Sequence, residues 1–183
     1  LWALTGWEVV AVPGLVPGRP FFQMLASRRF PAGTFIRSRA QLDYLEEPDI
    51  FHDIFGHVPL LTNPAYADYM QEYGRIGLGA IEHRGVKFLS RLNWYTIEFG
   101  LIRKSEGIRI YGAGIVSSFG EAQYVTGDPS ANHLAFDLDR VALGDAERLE
   151  RATRDAREAA AAFLPAGVGD RQSHFALVDL RVR

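Results

Sequence analysis

The sequence contains no cysteine, which excludes disulfides, thiolate zinc sites, iron–sulfur clusters and cysteine nucleophiles. It has no apolar run near the ~20 residues of a membrane span, and no signal-peptide pattern is visible. The formal net charge of −2 gives no excess of either sign, so nucleic acid and acidic membranes are not expected partners. These absences are compatible with the cytoplasm, which is the location we predict.

The chain of 183 residues does have enough length for one domain with a real core, and is short for two. Apolar residues make up 48% and charged residues 23%, as in ordinary globular proteins. We therefore predict a single domain over residues 1–183. Because the sequence starts at Leu1 rather than Met, we expect that an upstream segment is missing and that the domain is partial.

Residues 48–59 (PDIFHDIFGHVP) hold two of the five histidines, His52 and His57, on an apolar segment that also carries acid. Imidazole is the commonest protein ligand for a transition metal, so two at a fixed spacing indicate a metal site. Their spacing is i, i+5, whereas the His-Glu-x-x-His metalloproteases use i, i+4. On a regular α-helix the two side chains would point roughly 140° apart. They could still converge on one ion from a helix edge, with a third ligand from elsewhere.

Glu98 is a candidate for that third ligand. A carboxylate inside the apolar run WYTIEFGL is costly unless it is paired or bound to a metal. Two imidazoles and one carboxylate form the facial triad of non-haem Fe(II) oxygenases. The same residue types also form a catalytic zinc site, and hydrogen-bonded core residues are a further alternative. The residue types alone do not choose among these.

Arg37 closes an apolar run, where a guanidinium is unusual. It could bind a substrate carboxylate with two parallel hydrogen bonds. It could instead pair with a nearby acid, for which Asp43, Glu46 and Glu47 are the candidates.

Local patterns predict both helices and strands. Asn63 or Thr62 is expected to cap a helix that begins near Pro64, and Gly74, Gly77 and Gly79 to permit close packing. The predicted helices are 21–29, 64–80, 86–105 and 145–163. The predicted strands or extended pieces are 1–12 (buried), 30–37, 108–111, 133–136 and 174–183, and the predicted loops are 13–20 and 165–173.

Three motifs, EPDIFHDIFGHVPLL, WYTIEFGL and IYGAGIVSSFGE, follow one another in an order that resembles the aromatic amino acid hydroxylases. The similarity runs from about Thr5 to about Arg140. It implies a mainly α fold with small β elements (α+β), the catalytic-domain fold of that family, with a basket of helices around a non-haem iron. The family-like core would be 1–140, and 141–183 a divergent tail. It also implies a monooxygenase that hydroxylates the ring of free L-phenylalanine to L-tyrosine, using O₂, tetrahydropterin and Fe(II).

The resemblance assigns roles to individual residues, matched motif by motif. The iron ligands, which are also the catalytic residues, would be His52, His57 and Glu98. Residues that would bind the amino acid substrate are Arg37, Leu45, Pro48, Trp94, Phe99 and Ser117. Residues that would bind the pterin are Val12, Gly14, Val16, Phe21 and Asp53, with Phe21 stacking on the pterin ring.

Two differences from the family favour an alternative, an impaired or non-catalytic truncated homologue that retains metal binding. Asn93 stands where the family usually has a tyrosine beside the iron. After about Val141 an Arg/Ala/Glu-rich segment replaces the aromatic-rich continuation of the family.

Tryptophan is an alternative substrate, because the choice between phenylalanine and tryptophan depends on the volume of the pocket. A zinc hydrolase is disfavoured because no glutamate lies between the two histidines. The oligomeric state is not predicted.

Overall fold

The computed structural model describes residues 1–42, 47–83, 85–138 and, as backbone, 175–179. Within these ranges helices outweigh strands, which confirms the predicted class. The α-helices are α1 (Trp2–Thr5), α2 (Gly18–Ala26), α3 (Pro64–Glu82), α4 (Val86–Asn93), α5 (Ala113–Val116) and α6 (Phe119–Gly127). Two π-helices, π1 (His52–His57) and π2 (Trp94–Glu98), and two short 3-10 helices, Arg39–Gln41 and Leu60–Thr62, accompany them. The strands are β1 (Glu8–Val12), β2 (Arg29–Gly33), β3 (Gly100–Lys104), β4 (Gly107–Ile110), β5 (His133–Ala135) and β6 (Phe175–Asp179).

The first twelve residues are not the buried strand that we predicted. They form the short helix α1 followed by β1, and β1 is largely exposed. Two buried side chains, Thr5 in α1 and Trp7 between α1 and β1, connect this segment to residues just before and within α3. The Thr5 hydroxyl donates to the Leu61 carbonyl at 2.8 Å, and the Trp7 indole N–H donates to the Ala67 carbonyl at 3.2 Å. Tertiary contacts therefore override the strand propensity of this Trp- and Val-rich stretch.

The predicted loop at 13–20 ends earlier than expected, because Gly18, Arg19 and Pro20 form the first turn of α2. Proline is tolerated there, since the N–H groups of a first turn have no partner within the helix. Helix α2 connects β1 to β2, which pair in parallel from Glu8↔Arg29 to Val12↔Gly33. The loop that remains, residues 13–17, connects the end of β1 to the start of α2.

Helix α3 begins as predicted. The Asn63 side chain accepts hydrogen bonds from the backbone N–H groups of Ala65 and Tyr66, and Pro64 follows the cap. Close packing is confirmed at Gly74 and Gly77, where a Cβ would lie 2.4 Å from a backbone atom of α2 and 2.1 Å from the Phe22 ring, respectively. The prediction of close packing is wrong for Gly79, where a Cβ would face open space. The main core lies between α2 and α3, and includes Trp7, Phe22, Leu25, Leu61 and Met70.

The single helix predicted over 86–105 is wrong in its second half. Helix α4 runs into π2, and the chain then turns into β3 at Gly100. A Cβ on Gly100 would lie 2.2 Å from the Thr96 carbonyl oxygen and 2.1 Å from the Tyr111 ring. The turn therefore depends on a side chain that is distant in sequence, which helical periodicity cannot reveal.

The second sheet has four strands in the order β4-β3-β6-β5. Strand β4 overlaps the strand predicted at 108–111 and pairs antiparallel with β3, which lies within the predicted helix 86–105, so this hairpin was not predicted. Strand β6 pairs in parallel with both β3 and β5. The strand predicted at 174–183 is thus confirmed over Phe175–Asp179, and the tail returns to the middle of this sheet. A second core cluster, with Leu101, Ile115 and Val125, packs against it.

The helix predicted at 145–163 and the loop predicted at 165–173 lie outside the described residues. Among the helices that the structure describes, none combines the length and apolar character needed to cross a membrane.

Candidate metal centre and active site

His52 and His57 open and close the π-helix π1. Hydrogen bonding of the i→i+5 type widens each turn, so a residue five positions on returns to nearly the same side. The divergence of roughly 140° that a regular α-helix would impose is therefore removed. The Nε2 atoms of the two imidazoles lie 3.0 Å apart. The two imidazoles therefore converge, which the sequence had left open, although not from the edge of a regular helix.

Glu98 ends the second π-helix, π2, where the Phe99 N–H donates to the Trp94 carbonyl at 3.0 Å, an i→i+5 bond. The chain stays close to its neighbours here because residue 112 is a glycine. A Cβ on Gly112 would lie 2.4 Å from the Glu98 carbonyl oxygen. The end of π2 and the start of α5 can therefore meet directly, which positions the carboxylate opposite the two histidines.

The three predicted metal ligands meet at one point. One donor atom from each of His52, His57 and Glu98 lies within 4.8 Å of the others. Glu98 Oε1 is 3.4 Å from His57 Nε2, and Glu98 Oε2 is 3.5 Å from His52 Nε2. Two ligands at right angles, each about 2.1 Å from a first-row ion, would lie about 3.0 Å apart. The three donor atoms form a triangle, and the distances between them therefore fit the coordination of one divalent ion from one side.

A hydrogen bond fixes the tautomer of His52. The Ser117 hydroxyl donates its single proton to the Ala113 carbonyl at 2.8 Å. At 2.8 Å from His52 Nδ1, the same oxygen must therefore accept from an Nδ1–H group. The lone pair of His52 then lies on Nε2, which faces the other two ligands. A hydrogen bond of this kind orients a metal-binding histidine and raises its basicity as a ligand.

Burial sets the protonation states of the site. It lowers the pKa of His52 and of His57 to about 4, so both imidazoles are neutral near pH 7 and offer lone pairs. Burial raises the pKa of Glu98, against the opposing effects of His52 and the Asn93 amide. Burial likewise raises the pKa of Asp53 to about 6, although its carboxylate accepts the Gly33 N–H at 2.7 Å. A divalent ion held by these groups would supply a positive charge that offsets the burial of their carboxylates.

Arg37 is held by Asp49, an acid that we did not consider. Asp43 and Glu46, two of the three acids that we did consider, lie outside the described residues. Its Nε and Nη2 donate to the two oxygens of Asp49 at 2.9 and 2.7 Å, and its Nη1 donates to the Ser117 carbonyl at 2.6 Å. The side chain of Arg37 is only 6% exposed and that of Asp49 is fully buried. Asp49 also accepts the backbone N–H of His52, so one carboxylate orients both the guanidinium and the metal-binding segment.

Two cavities meet at the metal centre. The first, of about 520 Å³, is lined by five of the six predicted substrate-binding residues: Arg37, Pro48, Trp94, Phe99 and Ser117. The sixth, Leu45, lies outside the described residues. The second cavity, of about 290 Å³, is lined by all five predicted pterin-binding residues: Val12, Gly14, Val16, Phe21 and Asp53. His52 and Glu98 line both cavities.

Sequence reasoning missed two acidic residues near the site. Asp49 is the first acid of the PDIFHD segment, and its place three residues before His52 could have identified it as an anchor. Glu121 lines the first cavity, and its only sequence signal is the Ser-x-x-Glu spacing from Ser118. Asn93, noted as a departure from the family, donates through Nδ2 to Glu98 Oε1 at 3.4 Å.

Comparison with known proteins agrees with this geometry. The chain matches the family described as biopterin-dependent aromatic amino acid hydroxylase over residues 1–150. It is 62% identical over 138 residues to the phenylalanine-4-hydroxylase of Caulobacter vibrioides, covering 75% of this chain and 47% of that protein. It is 59% identical over 141 residues to the phenylalanine-4-hydroxylase of Ralstonia nicotianae, covering 77% of this chain and 45% of that protein. The chain thus spans about half the length of these curated relatives.

Solved structures confirm the predicted fold. The cobalt-bound phenylalanine hydroxylase of Chromobacterium violaceum superposes with a TM-score of 0.78 at 44% identity, over 97% of this chain and 57% of that one. The crystal structure of the same protein with iron and phenylalanine bound gives a TM-score of 0.76 at 41% identity, with the same coverage. The chain belongs to the biopterin-dependent aromatic amino acid hydroxylases.

Proposed function

We propose that this chain is the catalytic part of a phenylalanine 4-monooxygenase, which hydroxylates the ring of free L-phenylalanine to L-tyrosine with O₂ and tetrahydropterin. The observation that carries the proposal is the position of His52, His57 and Glu98 where two cavities meet. A flat cosubstrate in one cavity and an amino acid in the other would both border a single metal ion. Relatives that bear the phenylalanine-4-hydroxylase name support this choice of substrate.

The two imidazoles and the carboxylate would hold Fe(II), which supplies the redox chemistry with O₂ that ring hydroxylation requires. The remaining residues bind, orient and exclude water. Three of the five guanidinium N–H groups of Arg37 are engaged by described residues, which leaves two for a substrate carboxylate beside Ser117. The family resemblance also assigns Leu45, which lies outside the described residues, to this carboxylate. The apolar walls formed by Pro48, Trp94 and Phe99 would hold the ring and limit access of water.

In the second cavity, Phe21 would stack on the pterin and the 13–17 loop would follow its edge, with Val12, Gly14 and Val16 in contact. Asp53 would contribute its buried carboxyl group, one oxygen of which is already fixed by Gly33. We further propose that the chain is one catalytic domain, with its core at 1–140 and a divergent tail at 141–183, and that it acts in the cytoplasm without a nucleic-acid partner.

An anaerobic Fe(II) titration, followed by a turnover assay that measures tyrosine and oxidised pterin together, tests the proposal. One equivalent of Fe(II) should bind, and tyrosine should form from phenylalanine. Glu98→Gln and His57→Gln should lose metal binding, whereas His83→Gln, a change at an exposed histidine that caps α3, should not. Bound iron with neither tyrosine nor oxidised pterin would overturn the proposal.

A metal-binding homologue without coupled turnover is a second candidate, which the Asn93–Glu98 hydrogen bond favours. An amide there competes for a carboxylate oxygen that the ion would otherwise share. Pterin oxidation without tyrosine would support this candidate, and Asn93→Tyr should then restore tyrosine formation. If Asn93→Tyr leaves the ratio of tyrosine to oxidised pterin unchanged, Asn93 is not the cause.

A further inference from the structure

Glu121 lines the first cavity from the first turn of α6, and the roles proposed above do not use it. Its Oε2 atom is buried and has no hydrogen-bond partner in the described part of the chain. A buried carboxylate oxygen without a donor is costly, so its retention in a cavity wall calls for a reason. The missing partner is a hydrogen-bond donor, preferably a positively charged one.

Helix capping does not provide that reason. Ser118 and Glu121 have the spacing of a capping box, in which the glutamate side chain accepts the backbone N–H of the cap residue. One half is present, since Ser118 Oγ accepts the Glu121 N–H at 3.3 Å. The Ser118 N–H, however, donates to the Ile115 carbonyl at 3.1 Å. By contrast, the box formed by Ser38 and Gln41 in the same chain has both of its bonds.

The charges of the described residues also leave Glu121 unbalanced. Among the described residues that line this cavity, only Arg37 carries a guanidinium, and Asp49 already neutralises it at 2.7 Å. The Arg37 Nη1 group donates to the carbonyl of Ser117, the residue that precedes the cap of α6. The guanidinium therefore lies beside the start of α6, and Glu121 follows within one helical turn, about 5 Å of helix rise.

Among the described residues, two guanidinium N–H groups of Arg37 and one carboxylate oxygen of Glu121 have no partner, and both side chains line the first cavity. These groups match the carboxylate and the ammonium of an α-amino acid. We propose that Glu121 binds the α-ammonium group of the substrate whose carboxylate Arg37 binds. This assignment rests on the proposed function and adds to it the residue that recognises the α-ammonium group of the zwitterionic amino acid. It makes Glu121 the residue that rejects aromatic acids lacking an amino group, because such ligands leave its buried oxygen without a partner.

Binding of three probes to the metal-loaded chain tests the assignment by calorimetry: L-phenylalanine, 3-phenylpropanoate, which lacks the ammonium, and 2-phenylethylamine, which lacks the carboxylate. Glu121→Gln preserves the size of the side chain and removes its charge. It should raise the dissociation constants of L-phenylalanine and 2-phenylethylamine by about tenfold or more. The dissociation constant of 3-phenylpropanoate should change by less than about twofold. Glu72→Gln, at an exposed position on α3, is the matched control and should change none of the three.

Equal weakening of all three probes by Glu121→Gln, or no weakening of any, would overturn the assignment. The wild-type chain provides a check that does not depend on the variant folding, since it should bind L-phenylalanine at least about tenfold more tightly than 3-phenylpropanoate. Equal affinities would also overturn it. Tyrosine formation is measured in parallel. If tyrosine forms but Glu121→Gln leaves the preference unchanged, only the ammonium assignment fails. If the preference depends on Glu121 and no tyrosine forms, only the proposed function fails.

Discussion

Asp49 holds Arg37 and the start of π1 in place, and replacing it with asparagine tests that statement directly. The side chain is 0% exposed and accepts four hydrogen bonds. Three come from Arg37, through its backbone N–H, Nε and Nη2 at 2.8, 2.9 and 2.7 Å. The fourth comes from the His52 backbone N–H at 2.9 Å. Asparagine has nearly the same shape, but it carries no charge and one end of it donates instead of accepting.

The expected cost of Asp49→Asn is large because the variant leaves the Arg37 guanidinium buried without its counter-charge. Breaking one side of a buried ion pair costs about 3–5 kcal/mol. Total stabilities of single domains are about 5–15 kcal/mol, so the variant should be close to unfolding. Asp68→Asn is the control, since its pair with Arg28 is on the surface and Asp68 is 68% exposed. Removing such a pair costs about 0–1 kcal/mol.

The pH dependence provides a second signature of the same pair. Burial acts to raise the pKa of Asp49, but the hydrogen bonds from Arg37 and His52 prevail and hold it well below its usual range. A depressed pKa in the folded state means that the unfolded chain takes up a proton first as the pH falls. The contribution of Asp49 is therefore complete above the unfolded pKa of about 3.9 and is lost below it. The gap in stability between wild type and Asp49→Asn should be constant from about pH 7 to pH 5 and shrink below about pH 4.

Urea unfolding followed by circular dichroism measures these differences at each pH. Arg37→Met combined with Asp49→Asn removes both charges and should recover part of the lost stability, because no charge then remains buried alone. The reasoning fails if Asp49→Asn lies within about 1 kcal/mol of wild type at pH 7. It also fails if the gap is undiminished at pH 3, or if the double variant is less stable than Asp49→Asn.

Two further predictions concern packing and metal affinity. Gly77→Ala should lower the unfolding free energy by about 1–3 kcal/mol, because the new Cβ would lie 2.1 Å from the Phe22 ring. Gly79→Ala, on the open side of the same helix, should raise it by about 0.5–1 kcal/mol, and equal effects in urea unfolding would count against this packing. Ser117→Ala removes the acceptor for His52 Nδ1 and should weaken Co(II) binding about 10–100-fold in a chelator competition. An unchanged affinity would show that the ring orientation does not depend on Ser117.

The residue types of the metal site could be predicted from the sequence, but their convergence could not. Two histidines in an apolar segment and a glutamate in an apolar run are local signals that need no structure. The i, i+5 spacing argued against convergence, because the side chains of His52 and His57 diverge on a regular α-helix. The local composition does not predict a π-helix, because packing against other parts of the chain stabilises this conformation. Arg37 is a similar case, in which a plausible choice among nearby acids missed Asp49.

The errors in secondary structure have one cause. The end of the helix at Glu98 and the helical start of the chain are both decided by residues far away in sequence. Tyr111 occupies the space that a side chain at Gly100 would fill, and Ala67 accepts from the Trp7 indole. Helix α3, by contrast, was predicted nearly to the residue, since its Asn63 cap and Pro64 start act within one turn. Local signals therefore sufficed where the deciding interactions were local.

The element that joins the two π-helices is α5, together with the residues on either side of it. A Cβ on Gly56 in π1 would lie 2.9 Å from the Ala113 Cβ, and one on Gly112 would lie 2.4 Å from the Glu98 carbonyl oxygen. Four residues after Ala113, Ser117 accepts from His52. The motif GAGIVSS thus contacts both ligand-bearing segments and fixes the distance between them. Two glycines make this contact possible, so the spacing of the metal ligands depends on side chains that are absent as much as on those present.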